Sequence, residues 1–342
     1  MKPMIKRVII TAGLEAIALS RIGRLLPKAA GRAVIFTLHH VRRYIDRPFD
    51  PNALLSITPD FLEAAIQEAM SQGYTPVALT DLPELLARQD DGKRYVAFTL
   101  DDGCRDNAEH AAPVFRKYDV PYTLFITKGF VERTHTMWWE TAEALLREVD
   151  QFQFDFGEGT EIVACTSIKQ KNATFLRIAR FIESIDEDIA VNRLNQTAIS
   201  HYIDPVKIIE NEILNAAELK RLASDPLAHF GAHTVSHCCL TRIEAARLER
   251  EMTDCIEAIK NWTGKTPTSL AYPYGWKRAC GAREANAALK AGLTIGVTTQ
   301  PGILDKPARD EWMLLPRISL NGHYQKRRYV AALMSGIPFH LM

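Results

Sequence analysis

Two adjacent carboxylates stand where a short, largely apolar stretch of the chain ends. Residues 96–100 are followed at once by Asp101, Asp102 and Gly103. Such a run is typical of a buried parallel strand, and catalytic groups collect at the carboxyl ends of these strands. Because neighbouring residues of an extended chain point to opposite sides, the two acids need not do the same work. The pattern predicts that one acid holds a metal ion while the other handles a proton.

Two histidines farther along the chain have the spacing of metal ligands. His233 and His237 are four residues apart in the stretch H-T-V-S-H. On one helical turn, side chains at i and i+4 share a face, so that both imidazoles could meet one cation. Together with a carboxylate from the first stretch, they would form a site of two histidines and one carboxylate. This donor set suits a divalent metal, with zinc as the expected ion, which activates water and polarises a carbonyl group.

Both stretches resemble motifs of the polysaccharide deacetylases, the NodB-like carbohydrate esterases. T-L-D-D-G is similar to the T-F-D-D-G of that family, and H-T-V-S-H is similar to its H-[ST]-x-x-H. The resemblance implies a distorted (β/α)7 barrel and the metal-dependent removal of acetyl groups from N-acetylated sugars. It also implies that Asp101 is the general base and that Asp102, His233 and His237 are the metal ligands.

A third stretch, L-A-Y-P-Y-G at 270–275, resembles the R-x-P-[FY]-G motif of the same family. The resemblance implies that the backbone N–H of Tyr274 helps to form the oxyanion hole. The arginine of the motif, which orients the base in the family, is replaced by Ala271. Arg317, at the end of another predicted strand, is our candidate to keep Asp101 ionised and aligned. A surface ion pair is the alternative interpretation of Arg317.

Cleavage of an amide also needs an acid that protonates the departing amine. T-L-H-H-V at 37–41 resembles the first-strand motif of family members that deacetylate exopolysaccharide glucosamine, which implies that His39 is this acid. A structural or substrate-binding role for His39 stays open, and His323 is the alternative acid. One of Trp138 and Trp139 is expected near the substrate, where an indole could stack on a pyranose ring, unless both only pack the fold.

Apolar runs alternate with helical patterns along most of the chain, as in a parallel α/β barrel. The alternation lapses between about 138 and 225, which predicts an insertion over the rim of the barrel. We therefore expect an α/β fold, a distorted (β/α)7 barrel of the polysaccharide deacetylase type, with this insertion. The N-terminal residues 1–32 are expected to form an amphipathic helix, and residues 33–342 the barrel. Strands are predicted at 33–38, 74–79, 95–100, 122–127, 228–232, 269–272, 294–299 and 314–320.

Composition and charge restrict the possible partners and compartments. The 42 lysines and arginines balance 41 acidic residues without a basic stripe, so that no nucleic acid partner is expected. The apolar N-terminal run is interrupted by Glu15 and is shorter than the ~20 residues that span a bilayer. Its apolar face and basic rim leave a peripheral membrane contact open. The six cysteines form no C-x-x-C pair, which indicates free thiols in a reducing compartment and hence a cytoplasmic location.

Two other functions stay open beside a deacetylase of acetylated oligo- or polysaccharides. The metal chemistry does not distinguish acyl groups, so a related hydrolase of a non-sugar amide or an ester is one of them. The absence of the motif arginine at Ala271 makes a catalytically weak carbohydrate-binding protein the other.

Overall fold

Parallel strands and the helices packed around them make up the computed structural model, which describes residues 3–20, 22–24, 26–305 and 311–340. The strands in these residues are β1 (Ala33–Leu38), β2 (His40–Val41), β3 (Ser56–Ile57), β4 (Tyr74–Pro76), β5 (Arg94–Leu100), β6 (Tyr122–Ile126), β7 (Gln151–Asp155), β8 (Thr160–Ala164), β9 (Ala228–Ala232), β10 (Ser269–Ala271), β11 (Ile295–Val297) and β12 (Ile318–Ser319).

Helices follow most of the strands. Those in the described residues are α1 (Pro3–Ser20), α2 (Pro59–Ser71), α3 (Leu82–Ala87), α4 (Ala112–Lys117), α5 (Lys128–Val131), α6 (Trp138–Glu148), α7 (Ile168–Ser184), α8 (Glu187–Ser200), α9 (Pro205–Glu212), α10 (Ala216–Leu222), α11 (Ala245–Thr263), α12 (Ala282–Lys290), α13 (Arg327–Met334) and α14 (Ile337–His340). A π-helical turn, Asn107–Ala111, leads directly into α4.

The parallel strands form a ring. Seven of the described strands neighbour one another in the order β11, β10, β9, β6, β5, β1 and β12, and β4 pairs with the start of β5. All six residues of β1 pair with β5. A parallel bridge between Val297 and Leu315 joins the two ends of the row. The prediction of a distorted (β/α)7 barrel is confirmed.

Alternate residues of the strands face opposite sides of the ring. Ile35 and Ala97 belong to an apolar cluster that also includes Phe125 and Val297. Their neighbours, such as Phe36 and Phe98, belong to the large cluster beneath the surrounding helices. A strand that is buried on both faces explains why these segments are apolar almost throughout. The same alternation continues to the strand ends, so that Thr99 and Asp101 follow Ala97 on one side of β5.

The two terminal regions of the described chain pack against each other. Leu14 of α1 is buried with Tyr329 and Ala332 of α13. Glu15 accepts hydrogen bonds from the side chains of Arg328 and Tyr329. Other apolar side chains of α1 are exposed, among them those of Val8, Ile9 and Leu19. In the described part of the chain, we find no helix with the length and apolar character needed to cross a membrane.

Residues 138–222 interrupt the alternation of strands and helices. They contain α6 to α10 and the antiparallel hairpin of β7 and β8. Phe154, Ile178 and Phe181 contribute to an apolar cluster of this region, which Phe49 from the loop between β2 and β3 joins. Asn52 of the same loop donates a hydrogen bond to the carbonyl oxygen of Trp139 at 3.0 Å. The segment is thereby fixed to the end of the barrel at which β1 terminates.

Several strands are shorter than predicted: β6 and β10 each end one residue early, and β11 contains only residues 295–297 of the predicted 294–299. β4 ends at Pro76 instead of residue 79, and β12 contains only Ile318 and Ser319 of the predicted 314–320. Proline has no N–H to donate to a neighbouring strand, and both Pro76 and Pro316 lie in the predicted spans.

Candidate active site

Three side chains from two loops converge beyond the carboxyl ends of β5 and β9, the two strands that flank β6 in the ring. Asp102 follows β5, and His233 and His237 follow β9. Oδ1 of Asp102 lies 3.4 Å from Nε2 of His233 and 3.5 Å from Nε2 of His237. All three residues are buried. Their potential ligand atoms therefore surround one point.

The spacing and the free atoms of this group fit a tetrahedral metal ion. Ligands that lie about 2.1 Å from zinc are separated from one another by about 3.4 Å. Oδ1 of Asp102 is buried and has no hydrogen-bond partner of acceptable geometry among the described residues. Nδ1 of His233 lies 2.6 Å from the carbonyl oxygen of Ala271, which places the ring proton there and leaves the Nε2 lone pair free. The donor set is therefore one that can hold a divalent ion.

The backbone around these residues adopts a conformation that is rare outside glycine. The φ angles are 72° at Asp102, 65° at Thr234, 58° at His237 and 63° at Tyr274. Such left-handed residues cost energy and concentrate at functional sites. The segment that carries the histidines is an irregular loop, so the prediction of a shared helical face is wrong. The two rings meet because the loop turns back at Thr234 and His237.

Side chains beneath the histidine loop hold it in this conformation. Oγ1 of Thr234 accepts the N–H of His237 at 3.1 Å. Glu251 of α11 accepts the backbone N–H groups of Val235 and Ser236 at 2.9 and 2.8 Å. These contacts give hydrogen-bond acceptors to backbone N–H groups of the loop, which lie outside any helix or strand that would otherwise pair them.

Burial and mutual charge set the ionisation of the three convergent groups. Burial alone would raise the pKa of Asp102, but His233 and His237 hold this pKa well below its ordinary value. Burial lowers the pKa of His237 to about 3. Burial would also lower the pKa of His233, but the adjacent Asp102 raises it. An ionised carboxylate and a neutral His237 at neutral pH are the states that metal ligation requires.

Asp101 lies beside this group and is paired with Arg317. The Nη1 and Nη2 atoms of Arg317 donate to the two carboxylate oxygens of Asp101 at 2.7 and 2.6 Å. Further bonds from Arg317 to the carbonyl oxygen of Thr298, at 2.8 Å, and to Oγ1 of Thr99, at 3.0 Å, fix the plane of the guanidinium group. Arg317 is 1% exposed and Asp101 is 2% exposed, so the pair is not a surface ion pair.

The guanidinium group determines the charge of Asp101. Burial by itself would raise the pKa of this carboxyl, but the charge and the hydrogen bonds of Arg317 lower the pKa below its ordinary value. Asp101 is therefore an ionised acceptor in a buried site, which is the state that a general base needs.

Residues 88–295 match the family model described as polysaccharide deacetylase. This span contains Asp101, Asp102, His233, His237 and Tyr274. The chain belongs to the polysaccharide deacetylase family. A search of curated proteins finds no match to it.

Solved structures of low sequence identity share the fold of this deacetylase, among them the following three proteins. The Streptococcus pyogenes deacetylase PplD, solved in complex with acetate, is 17% identical with a TM-score of 0.53 over 85% of this chain and 92% of its own. IcaB from Ammonifex degensii is 13% identical with a TM-score of 0.54 over 90% and 97%. A de-N-acetylase from Aggregatibacter actinomycetemcomitans is 12% identical with a TM-score of 0.52 over 84% and 94%. At these identities, the likeness concerns the fold alone.

In this deacetylase, side chains from residues 138–222, here called the inserted region, hold the L-A-Y-P-Y-G segment beside the histidines. The ring of Tyr274 lies 5.3 Å from that of His237, measured between centroids. The Tyr274 hydroxyl donates to Glu187 and accepts from Nε1 of Trp138, the latter at 3.0 Å. Glu187 also accepts the backbone N–H of Cys239 at 2.9 Å. One carboxylate of α8 thus connects the tyrosine loop to the histidine loop.

The turn after Tyr274 requires glycine. Gly275 has a φ angle of 62°, and a Cβ atom at this position would lie 2.5 Å from the backbone nitrogen of Thr299. Oγ1 of Thr299 donates to the carbonyl oxygen of Tyr274 at 2.7 Å. The close approach of the two loops thus fixes the peptide group that follows Tyr274. The N–H of Gly275 donates at 2.7 Å to the carbonyl oxygen of Pro273, which belongs to the same peptide group as the Tyr274 N–H that was predicted to form the oxyanion hole.

Of the two candidates for the acid, the structure brings only His39 close to the carboxylates. Burial lowers the pKa of His39, and the charges of Asp102 and Asp101 oppose this effect. The charged groups that act on His323 are instead Arg7 and Asp50. The role of His39 as an acid stays a prediction.

Two residues that follow the D-D-G turn hold the backbone at His39. Nδ2 of Asn107 donates to the carbonyl oxygen of His39 at 2.7 Å. Oδ1 of Asp106 accepts the N–H of Val41 at 3.1 Å, and its Oδ2 lies 2.8 Å from Nδ1 of His40. His40 thus contacts Asp106 and is not part of the group formed by Asp102, His233 and His237.

A second group of potential metal ligands, His40, Cys104 and Asp106, is better explained by hydrogen bonds. The potential ligand atoms lie within 4.8 Å of one another. However, His40 faces Asp106 with Nδ1, at 2.8 Å, and Cys104 with Nε2, whose distance from Sγ is 3.7 Å. One ion between all three residues could bind only one of these nitrogens. We therefore interpret His40 as a link between the two side chains.

Sequence reasoning missed Glu187, Glu251, Asp106 and Asn107. Asp106 and Asn107 stand three and four residues after T-L-D-D-G, at the start of the following helix, and their polar types so close to the motif were an available indication. Glu187 and Glu251 lie in helical patterns far from either motif in sequence, and nothing local distinguishes them from solvent-exposed acids.

Proposed function

We propose that this deacetylase is a metal-dependent hydrolase that removes N-acetyl groups from saccharides containing N-acetylhexosamine, with zinc as the expected ion. One observation carries the proposal: an unpaired, buried Asp102 Oδ1 faces the Nε2 atoms of His233 and His237. The ionised Asp101 adjoins this group. Membership of the polysaccharide deacetylase family supports a carbohydrate substrate.

Each residue of the site would have a distinct task. Asp102 and the two histidines would hold the ion, which when bound lowers the pKa of water and polarises the acetyl carbonyl. Asp101 would accept a proton from the attacking water. The backbone N–H of Tyr274 would donate a hydrogen bond to the developing oxyanion.

His39 would protonate the departing amine. Burial lowers the pKa of this ring, so that it is neutral before the reaction at neutral pH. The proton that His39 delivers must therefore be taken up during the reaction. This proton can be the one that Asp101 removes from water. Its transfer to His39 leaves the total charge of the site unchanged.

The decisive experiment combines metal analysis with acetate release from N-acetylglucosamine oligomers. Wild type is expected to bind metal and to release acetate, and His233→Ala is expected to lose both. Asp101→Asn is expected to keep the metal and to lose turnover, because it removes the base but no ligand. Metal loss in Asp101→Asn would contradict the assigned roles, and wild type without metal would overturn the proposal.

Arg317 bears on the hypothesis of a catalytically weak carbohydrate-binding protein. That hypothesis was based on Ala271, which stands where the family motif has arginine. Arg317 supplies a guanidinium group in contact with Asp101, which supports an active base and weighs against this hypothesis. The other alternative, a hydrolase of a non-sugar amide or an ester, is tested with a panel of substrates that includes such compounds. Wild type that hydrolyses these and no acetylated saccharide would establish it.

The cytoplasmic location and a membrane contact of α1 stay predictions. Fractionation of cells that produce the protein tests both, since a soluble fraction is expected for the first and a salt-sensitive membrane fraction for the second.

A further inference from the structure

A cavity of about 700 Å³ lies between α1, α2 and α13. Its lining includes Tyr74 and Arg94, which are the first residues of β4 and β5. Asp102 and His233, in contrast, follow the carboxyl ends of β5 and β9. Because these strands are parallel, the cavity lies at the opposite end of the barrel from the candidate active site. A ligand in this cavity would therefore not compete with the substrate for space.

Arginine side chains give the cavity donors for an anion. Arg94, Arg327 and Arg328 line it, together with one acid, Glu68. Within the described residues, Arg327 forms hydrogen bonds only through Nε, which donates to Glu68 at 2.5 Å. Arg328 donates through Nε and Nη2 to Glu15, at 2.7 and 2.6 Å. The donors on Nη1 and Nη2 of Arg327 and on Nη1 of Arg328 are therefore left for a ligand.

The acids beside these arginines do not balance the positive charge. Glu15 faces both Lys326 and Arg328, at 3.0 and 2.6 Å. Glu68 faces Arg327 at 2.5 Å. In the part of the chain that the structure describes, three cations of one segment thus share two carboxylates. An excess of one sign of charge in a concave site concentrates ions of the opposite sign, so the cavity favours an anionic ligand.

Apolar side chains form another part of the wall. Ile17 and Ala18 of α1 and Ala331 and Met334 of α13 line the cavity. Leu19, which follows Ala18 in α1, is exposed. Ligand pockets span about 300–1,000 Å³, so that this volume has room for more than a bare ion. A ligand with an anionic group and an apolar part would contact both kinds of surface.

We propose that this cavity binds a phosphate group with free oxygens, such as inorganic phosphate or a phosphate monoester. Guanidinium groups form parallel pairs of hydrogen bonds with phosphate, whose oxygens can accept from two arginines at once. A carboxylate has only two oxygens, which a single guanidinium group occupies. The phosphate can be free in solution or belong to the headgroup of a lipid, since both present the same oxygens to Arg327 and Arg328. The site does not depend on the proposed function.

Three substitutions separate the cavity from other charged surface. Arg327→Gln removes a charge from the lining, and Ala331→Phe fills the cavity without a change of charge. Arg88→Gln is the matched control, because Arg88 also pairs with one glutamate, Glu84, at 2.5 Å and does not line the cavity. The side chains of Arg327 and Arg88 are 52% and 63% exposed, so that we expect both of these variants to fold. The Tm of each variant checks this expectation.

Calorimetry with inorganic phosphate and sedimentation with vesicles test the site and identify the source of the phosphate. The vesicles consist of phosphatidylcholine with and without phosphatidic acid, whose phosphate is a monoester. Wild type and Arg88→Gln are expected to bind inorganic phosphate or the vesicles with phosphatidic acid. Arg327→Gln should bind about tenfold more weakly or less, because a charged donor is lost. Ala331→Phe should show a similar loss, because the space is filled.

The outcome with each probe decides a separate point. Binding of inorganic phosphate that depends on Arg327 and Ala331 would establish a site for a free phosphate. The same dependence with the vesicles alone would establish a site for a lipid headgroup. Binding of neither probe by wild type would overturn the site. Equal losses in Arg327→Gln and Arg88→Gln, or wild-type binding by both folded cavity variants, would also overturn it.

Acetate release, measured in parallel, keeps this inference apart from the proposed function. All three variants are expected to release acetate as wild type does, since the cavity and the candidate active site lie at opposite ends of the barrel. Phosphate binding without acetate release by wild type would support the site and overturn the proposed function. Acetate release without binding of either probe would do the reverse.

Discussion

The side chain of Arg317 controls the ionisation of Asp101 in this site. Without the guanidinium group, burial would raise the pKa of Asp101, so that a smaller fraction of the base is ionised at a given pH. We expect Arg317→Gln to move the acid limb of kcat/KM to higher pH. We also expect a loss of about 3–5 kcal/mol in the free energy of unfolding, because a buried carboxylate is left without its partner. A pH profile and urea unfolding measure the two effects.

Arg317→Lys is the control for charge. Lysine keeps the positive charge but cannot form two parallel hydrogen bonds with one carboxylate. The acid limb should therefore move less than in Arg317→Gln, while kcat still falls. An acid limb that is the same in wild type and Arg317→Gln would show that Asp101 is not the group that titrates.

Single substitutions also decide whether His39 or His323 is the general acid. Removal of a general acid typically lowers kcat by about 10²–10⁴-fold. We expect this loss in His39→Gln, with little change in KM, because His39 lies near both carboxylates. His323→Gln is the matched control and should retain wild-type kcat, as its charged neighbours are Arg7 and Asp50. The opposite result would make His323 the acid.

At the scale of elements, helix α8 positions two loops through Glu187. Loss of a group that orients metal ligands typically weakens metal binding by about 10–100-fold. We expect Glu187→Ala to show such a loss together with a lower kcat, because the Tyr274 hydroxyl and the Cys239 N–H both lose their acceptor. Metal titration and acetate release measure these effects.

Glu183→Ala is the control for this variant. Glu183 lies in the last turn of α7, four residues before Glu187, and pairs with Arg278 at the surface. An exposed ion pair contributes at most about 1 kcal/mol, so metal affinity and turnover should stay at wild-type values. If Glu187→Ala also behaves like wild type, the inserted region does not support the site.

Local patterns predicted the elements well and the contacts between distant elements poorly. The apolar run 33–38 coincides with β1, and the strand before Asp101 was placed within one residue. The helical conformation at His233–His237 was wrong because i,i+4 spacing does not distinguish a helix from a loop that turns back. This loop depends on Glu251, which is supplied by α11. The contact between Glu187 and Tyr274 joins residues 87 positions apart and has no local pattern at all.

The molecule as a whole should be stabilised by its metal. An ion that binds only the folded state adds about 4 kcal/mol when its concentration is a thousand times Kd. We expect a chelator to lower the Tm of wild type and excess zinc to restore it. His233→Ala, which lacks one proposed ligand, should melt at the same temperature with and without chelator. A wild-type Tm that responds to neither reagent would contradict a metal in this site.

The closure of the ring has a consequence for synthesis of the chain. β1 pairs on one side with β5 and on the other with β12, the last strand described. Chains are made from the N-terminus and fold as their segments emerge. Until residues 315–319 have left the ribosome, β1 has an open edge and Asp101 lacks the guanidinium group that lies 216 positions later. The growing chain therefore exposes the unpaired edge of β1 to other chains. The same late segment completes the sheet and brings Arg317 to Asp101, where it lowers the pKa of the carboxyl.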